Sequence, residues 1–119
     1  MPAVDQLALD EVAEQVYFSL EEVFGVQPEA EQSESYNKPV WRLTVPGLWW
    51  DELIWFHVFV EPVRRGARKR WGRLGGIQIR WVIFDARQIP RLEIERVYSP
   101  LNARRAIEEL HGTLELVAS

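Results

Sequence analysis

The first apolar positions recur at helical spacing. Leu9, Val16, Leu20 and Phe24 fall along one side of the segment Val4 to Phe24, and Ala13 and Tyr17 fill the same face, which predicts an amphipathic helix. Asp5 suits its first turn, and Gly25 followed by Pro28 ends it. The next stretch, "EAEQSESY" from Glu29 to Tyr36, has no apolar face and reads as an acidic linker.

The period then changes to two. From Pro39 to Val45, Trp41, Leu43 and Val45 share one face, and Val40, Arg42 and Thr44 the other. "PGLWWDE" is a turn with Pro46 and Gly47 as breakers. Glu52 to Glu61 places Leu53, Trp55, His57 and Phe59 on one face and Ile54, Phe56, Val58 and Val60 on the other. Both faces are apolar, so this strand is expected to be covered on both sides, by two layers or by a second subunit. Ile77 to Phe84 and Arg91 to Tyr98 complete a set of four strands, the last with Leu92 and Ile94 inward and Glu93 and Glu95 outward.

Ser99 and Pro100 suit a helix start, Ala103, Ile107 and Leu110 form its apolar stripe, and His111 with Gly112 reads as its end. "TLELV", residues 113–117, fits a short edge strand or a last helical turn. The expected fold is α+β: a four-stranded antiparallel sheet flanked by an N-terminal and a C-terminal helix. The 119 residues suit one domain, with an acidic helix and linker over 1–36 and the sheet and second helix over 37–119.

Charge changes this picture most. The formal net charge of −4 hides a segregation: residues 1–36 hold nine acids and no Lys or Arg, whereas residues 63–73 hold six bases and no acid. Twelve of the fourteen basic residues are arginine. Arginine suits bidentate phosphate contacts and planar stacking, although a GC-rich genome produces the same bias. The six bases, Arg64, Arg65, Arg68, Lys69, Arg70 and Arg73, lie in "VRRGARKRWGRLGG", which connects two predicted strands.

Other chemistry is sparse. The chain has no cysteine, which excludes a disulfide framework, cysteine zinc sites and thiol catalysis. An acidic N-terminus predicts no secretory leader and a cytoplasmic location. Of the two histidines, His57 suits a hydrogen-bonded residue within a strand and His111 a helix end. No nucleophile with its base and orienter is legible, and no His/Asp/Glu group has metal-ligand spacing. The expectation is a protein without catalysis, cofactor or metal.

Six tryptophans remain. Trp55 and Trp81 read as core. Trp49 and Trp50 are neighbours in a turn, where one is expected to be exposed or held in an interface. Trp71, among the arginines, fits either a stacking surface or a hydrophobic anchor for its loop. Cations that track a phosphate backbone, beside rings that stack on unpaired bases, are what a single strand requires. Arg42 and Arg80, on polar strand faces, would extend the basic surface onto the sheet.

A leading helix, a meander of aromatic-rich strands and a closing helix, with "VWRLTV", "RKRWGR" and "IRWVIF", resembles the ThermoDBP-type single-stranded DNA-binding proteins of hyperthermophilic archaea. That resemblance implies a thermophile's DNA-binding protein in which a basic cleft with an aromatic floor holds the strand, and it transfers no individual residue. The expected function is binding of single-stranded DNA or RNA, by a homodimer, through Arg42, Arg64, Arg65, Arg68, Lys69, Arg70, Arg73 and Arg80 with Trp49, Trp50 and Trp71. The competing expectation is a protein–protein adapter or assembly subunit whose basic loop docks on an acidic partner.

Overall fold

A computed structural model describes residues 6–35, 38–45, 55–63, 76–98 and 102–118. Helix α1 spans Gln6–Phe24, and strands β1 to β5 span Glu29–Ser35, Lys38–Thr44, Trp55–Pro62, Ile77–Phe84 and Pro90–Val97. Helix α2 spans Ala103–Ala118. The strands pair in chain order, β1-β2-β3-β4-β5, each antiparallel to its neighbour.

The sheet has five strands rather than the expected four. The added strand is β1, whose residues were expected to be a linker. It pairs along its whole length with β2, from Glu29 opposite Thr44 to Ser35 opposite Lys38. Its side chains alternate without an apolar face because it lies at an edge, where backbone pairing suffices. Charged side chains on such an edge also discourage pairing with another chain.

Both helices pack on one face of the sheet. Leu9, Val12, Ala13, Val16, Leu20 and Phe24 of α1 join Ala103, Ala106, Ile107, Leu110 and Leu114 of α2 over Leu43, Phe56, Val58, Val60, Ile79, Trp81 and Ile83. Trp81 is fully buried, as expected, and its Nε1 has no hydrogen-bond partner among the described residues. Trp41 faces the helices as well, donating from Nε1 to Asp10 Oδ1 of α1 at 2.7 Å. Gly25 closes α1 with φ 72°, and its N–H bonds the Glu21 carbonyl.

Helix α2 does not end at His111 and Gly112. Leu114, one turn beyond Leu110, is fully buried, and packing carries the helix through the glycine. Residues 113–117 are therefore helix and not an edge strand. His111 lies inside the helix, 3.1 Å from Glu115 and with its ring 5.3 Å from that of Phe24. The expected start at Ser99 and Pro100 falls outside the described residues. Among the described residues the helix opens at Ala103, and the Asn102 carbonyl before it accepts from Ala106 N–H at 2.9 Å.

Candidate nucleic-acid interface

Alternation in β3 decides what the second face carries. Phe56, Val58 and Val60 point to the helices, so Trp55, His57, Phe59 and Glu61 point away. The strand was expected to be covered on both sides. Both described helices lie on one face, yet Val40, Glu61, Gln78 and Val82 on the other are also buried within the single chain. Trp55 is accordingly a half-buried residue of this open face and not part of the helix-packed core.

Pairing across the sheet orders the open face into rows. One row runs Glu31, Arg42, Phe59, Arg80, Glu95 from β1 to β5, and the next runs Glu29, Thr44, His57, Val82, Glu93. Beyond them Trp55 stacks on Phe84, with centroids 4.3 Å apart and planes at 12°. Each row has carboxylates at its edges and rings toward its middle.

The structure brings Arg42 and Arg80 onto this one face, two strands apart, and pairs each with acid. Arg42 Nη2 lies 3.0 Å from Glu31 Oε1, with 39% of the Arg42 side chain exposed. Arg80 is held more firmly: Nε and Nη2 donate to the two carboxylate oxygens of Glu61 at 2.9 and 3.2 Å. Glu61 also accepts from Gln78 Nε2 at 2.6 Å, and both Glu61 and Gln78 are buried. Such a pair is costly to bury and is retained here by its full set of hydrogen bonds.

No protein-family model, curated protein or solved structure matches this chain. The functional reading therefore rests on its own residues.

The segment with Arg64, Arg65, Arg68, Lys69, Arg70, Trp71 and Arg73 lies outside the described residues, as do Trp49 and Trp50. Its root is described. Pro62 pairs with Ile77, and Val63 N–H donates to the Gly76 carbonyl at 2.9 Å. Val63 is buried, and a Cβ built on Gly76 would approach Val63 Cγ2 to 3.0 Å. The basic segment thus leaves the sheet between its third and fourth strands, at a tight neck. Trp49 and Trp50 belong to the connection that enters β3 at Trp55, the other end of the strand. At roughly 3.4 Å per residue, the two attachment points are about 24 Å apart.

Charge on the open face is acidic. By register the face holds five carboxylate positions, Glu29, Glu31, Glu61, Glu93 and Glu95, against three cationic ones, Lys38, Arg42 and Arg80. Positive charge is concentrated instead in the segment 64–73.

His57 is half-buried among Trp55, Phe59 and Phe84, and its Nδ1 shares a 3.0 Å hydrogen bond with Thr44 Oγ1. Burial pushes its imidazole below the ordinary value of 6.5; the Arg42 charge adds to the shift and Glu31 opposes it. A neutral, hydrogen-bonded ring is a structural role, and no catalytic partner touches it among the described residues. Those residues also contain no group of three acids or histidines placed to hold a metal ion. No described helix is long and apolar enough to cross a membrane.

Phe59 and Phe84 were not singled out from sequence. The alternation in β3 and β4 marked them, but only the placement of both described helices on the opposite face shows that their side carries neither of these.

Proposed function

We propose that this protein binds single-stranded DNA or RNA without catalysis, through the basic segment from Arg64 to Arg73. One observation carries this: six cations and no acid sit on a connection fixed at the Val63–Gly76 neck between two inner strands. Arg64, Arg65, Arg68, Lys69, Arg70 and Arg73 neutralise phosphates and release counterions. Trp71 stacks on a base, and Trp49 or Trp50 extends the path for a longer strand. Arg42 exchanges Glu31 for a phosphate, while Arg80 supports Phe59. The resemblance to ThermoDBP-type proteins points the same way, and a cytoplasmic setting belongs to the same reading. Titration of labelled single and double strands tests it: preference for single strands, lost in R68E/R70E, is the expected result.

A second reading is favoured by the acid excess on the open face. It takes the basic segment as a docking element for an acidic protein surface, in an adapter or assembly subunit.

A further inference from the structure

We propose that strand β1 is the interface of a homodimer, in which its outer edge pairs antiparallel with the same strand of a second copy. The two edges of the sheet are built differently, and only β1 is built to accept a strand.

The β5 edge is guarded. Tyr98 N–H donates to the Ile77 carbonyl at 2.7 Å, so the backbone groups of Tyr98, Arg96 and Ile94 turn toward β4, and those of Val97, Glu95 and Glu93 turn outward. Two of these outward carbonyls already have side-chain donors. Asn102 Nδ2 donates to that of Val97 at 2.8 Å, and Arg96 Nη1 to that of Glu95 at 3.0 Å. Pro90 opens the strand, and its register shifts beside Ile83 and Phe84. A proline, a bulge and capped carbonyls all keep an edge from pairing.

Strand β1 has none of these devices. Its residues, Glu29–Ser35, pair with β2 without a proline or a register shift. No described strand pairs on its other side, and Glu29 to Glu34 are all exposed. Backbone alternation fixes which groups point outward. Val63 N–H bonds the Gly76 carbonyl, so the odd-numbered residues of β3 turn to β4, and Val58 and Val60 turn to β2. Those two meet Leu43 and Trp41, which leaves Val40, Arg42 and Thr44 turned to Ser33, Glu31 and Glu29. Ala30, Gln32 and Glu34 therefore direct their N–H and C=O groups away from the sheet.

The sequence of β1, "EAEQSES", fits a second copy of itself. Centred on Gln32, the register sets Gln32 opposite Gln32, Glu31 opposite Ser33, Ala30 opposite Glu34 and Glu29 opposite Ser35. Each pair joins residues of the same parity, so the outward groups of one copy meet those of the other. No carboxylate stands opposite a carboxylate. Glu31, which meets its counterpart only across a diagonal, is neutralised by Arg42 at 3.0 Å. The smallest shift that keeps side chains on their faces is two residues. It either sets Glu31 opposite Glu31 or gives up the pairs made by Glu29 and Ala30. Acids that repel other strands thus select this register.

The two-fold axis passes through Gln32, perpendicular to the sheet, and joins two five-stranded sheets edge to edge. The guarded β5 edges end the joined sheet, so assembly stops at two copies.

Substitutions at Gln32 test this in the full chain. Its N–H takes no part in pairing with β2, so Gln32→Pro removes an outward donor and leaves the fold intact. Q32E and Q32K each set like charges against each other on the axis. A contact of one strand pair is at the small end of protein interfaces, so sedimentation is run at high protein concentration. Wild type should sediment at twice its 14.0 kDa, and Q32P, Q32E and Q32K each as a monomer. An equimolar mixture of Q32E and Q32K should restore the dimer, because only a residue that faces itself turns two repelling variants into an attracting pair. Melting curves matching wild type establish that the variants fold, and if Q32P does not, the charge pair decides alone. A monomeric wild type, species larger than a dimer, single variants that still dimerise, or a mixture that stays monomeric would each overturn the proposal. No oligonucleotide is present, so the outcome is separate from the nucleic-acid reading.

Discussion

The guanidinium of Arg80 lies over the ring of Phe59, with Cζ 4.1 Å from the centroid, while Nε donates to Glu61 at 2.9 Å. One side chain thus joins a buried carboxylate to the aromatic part of the open face. Arg80→Ala leaves the Glu61 charge buried without its principal partner. Removing one member of a buried pair costs about 3–5 kcal/mol. We expect chemical denaturation to report a loss of that size. A loss below about 1 kcal/mol, the range of exposed pairs, would show that water replaces Arg80 freely.

His57 sets a pH dependence. The folded chain binds its proton more weakly than the unfolded chain, because burial and Arg42 outweigh Glu31. Stability is therefore full above the ordinary value of 6.5 and declines as pH falls through it toward the lowered folded value. Denaturant midpoints measured from pH 7.5 down to pH 5, about the span over which an ordinary histidine titrates, should fall for wild type and fall less for His57→Gln. Equal slopes in both proteins would assign the effect to other groups.

Gly112 lies inside α2, and a Cβ there meets nothing within 4 Å. Gly112→Ala should raise stability by roughly 0.5–1 kcal/mol, because glycine is the costlier residue within a helix. A lower melting temperature would show that the helix is interrupted at that point.

The same glycine shows why some of the fold was legible and some was not. Its preference for helix ends predicted a stop, but burial of Leu114 on the stripe of Ile107 and Leu110 outweighs that preference. The end of α1 at Phe24 was readable because the spacing of Leu9, Val16 and Leu20 and the glycine at position 25 agree with one another. Strand β1 was hidden because pattern reading depends on apolar alternation, and an edge strand held by backbone pairs and by the Glu31–Arg42 ion pair needs none. The apolar character of both faces of β3 was visible. That both helices lie on one of them was not, since periodicity says nothing about which layer a helix joins.

Trp71 separates a stacking role from an anchoring one. Stacking on an aromatic ring is worth about 1–3 kcal/mol per base, so Trp71→Ala should weaken single-strand binding roughly five- to 150-fold with unchanged melting. A large drop in melting temperature with intact affinity would mark Trp71 as an anchor for its loop.

The basic segment as a phosphate-binding element is the central claim, and salt dependence tests it most directly. Affinity for a labelled single strand should fall linearly on a log–log plot against salt, with a slope of about −0.7 for each phosphate neutralised. In R68E/R70E the slope should shrink and the affinity fall for every strand sequence alike. No binding by the unmodified protein in low salt, or a slope unchanged by the double reversal, would contradict the account.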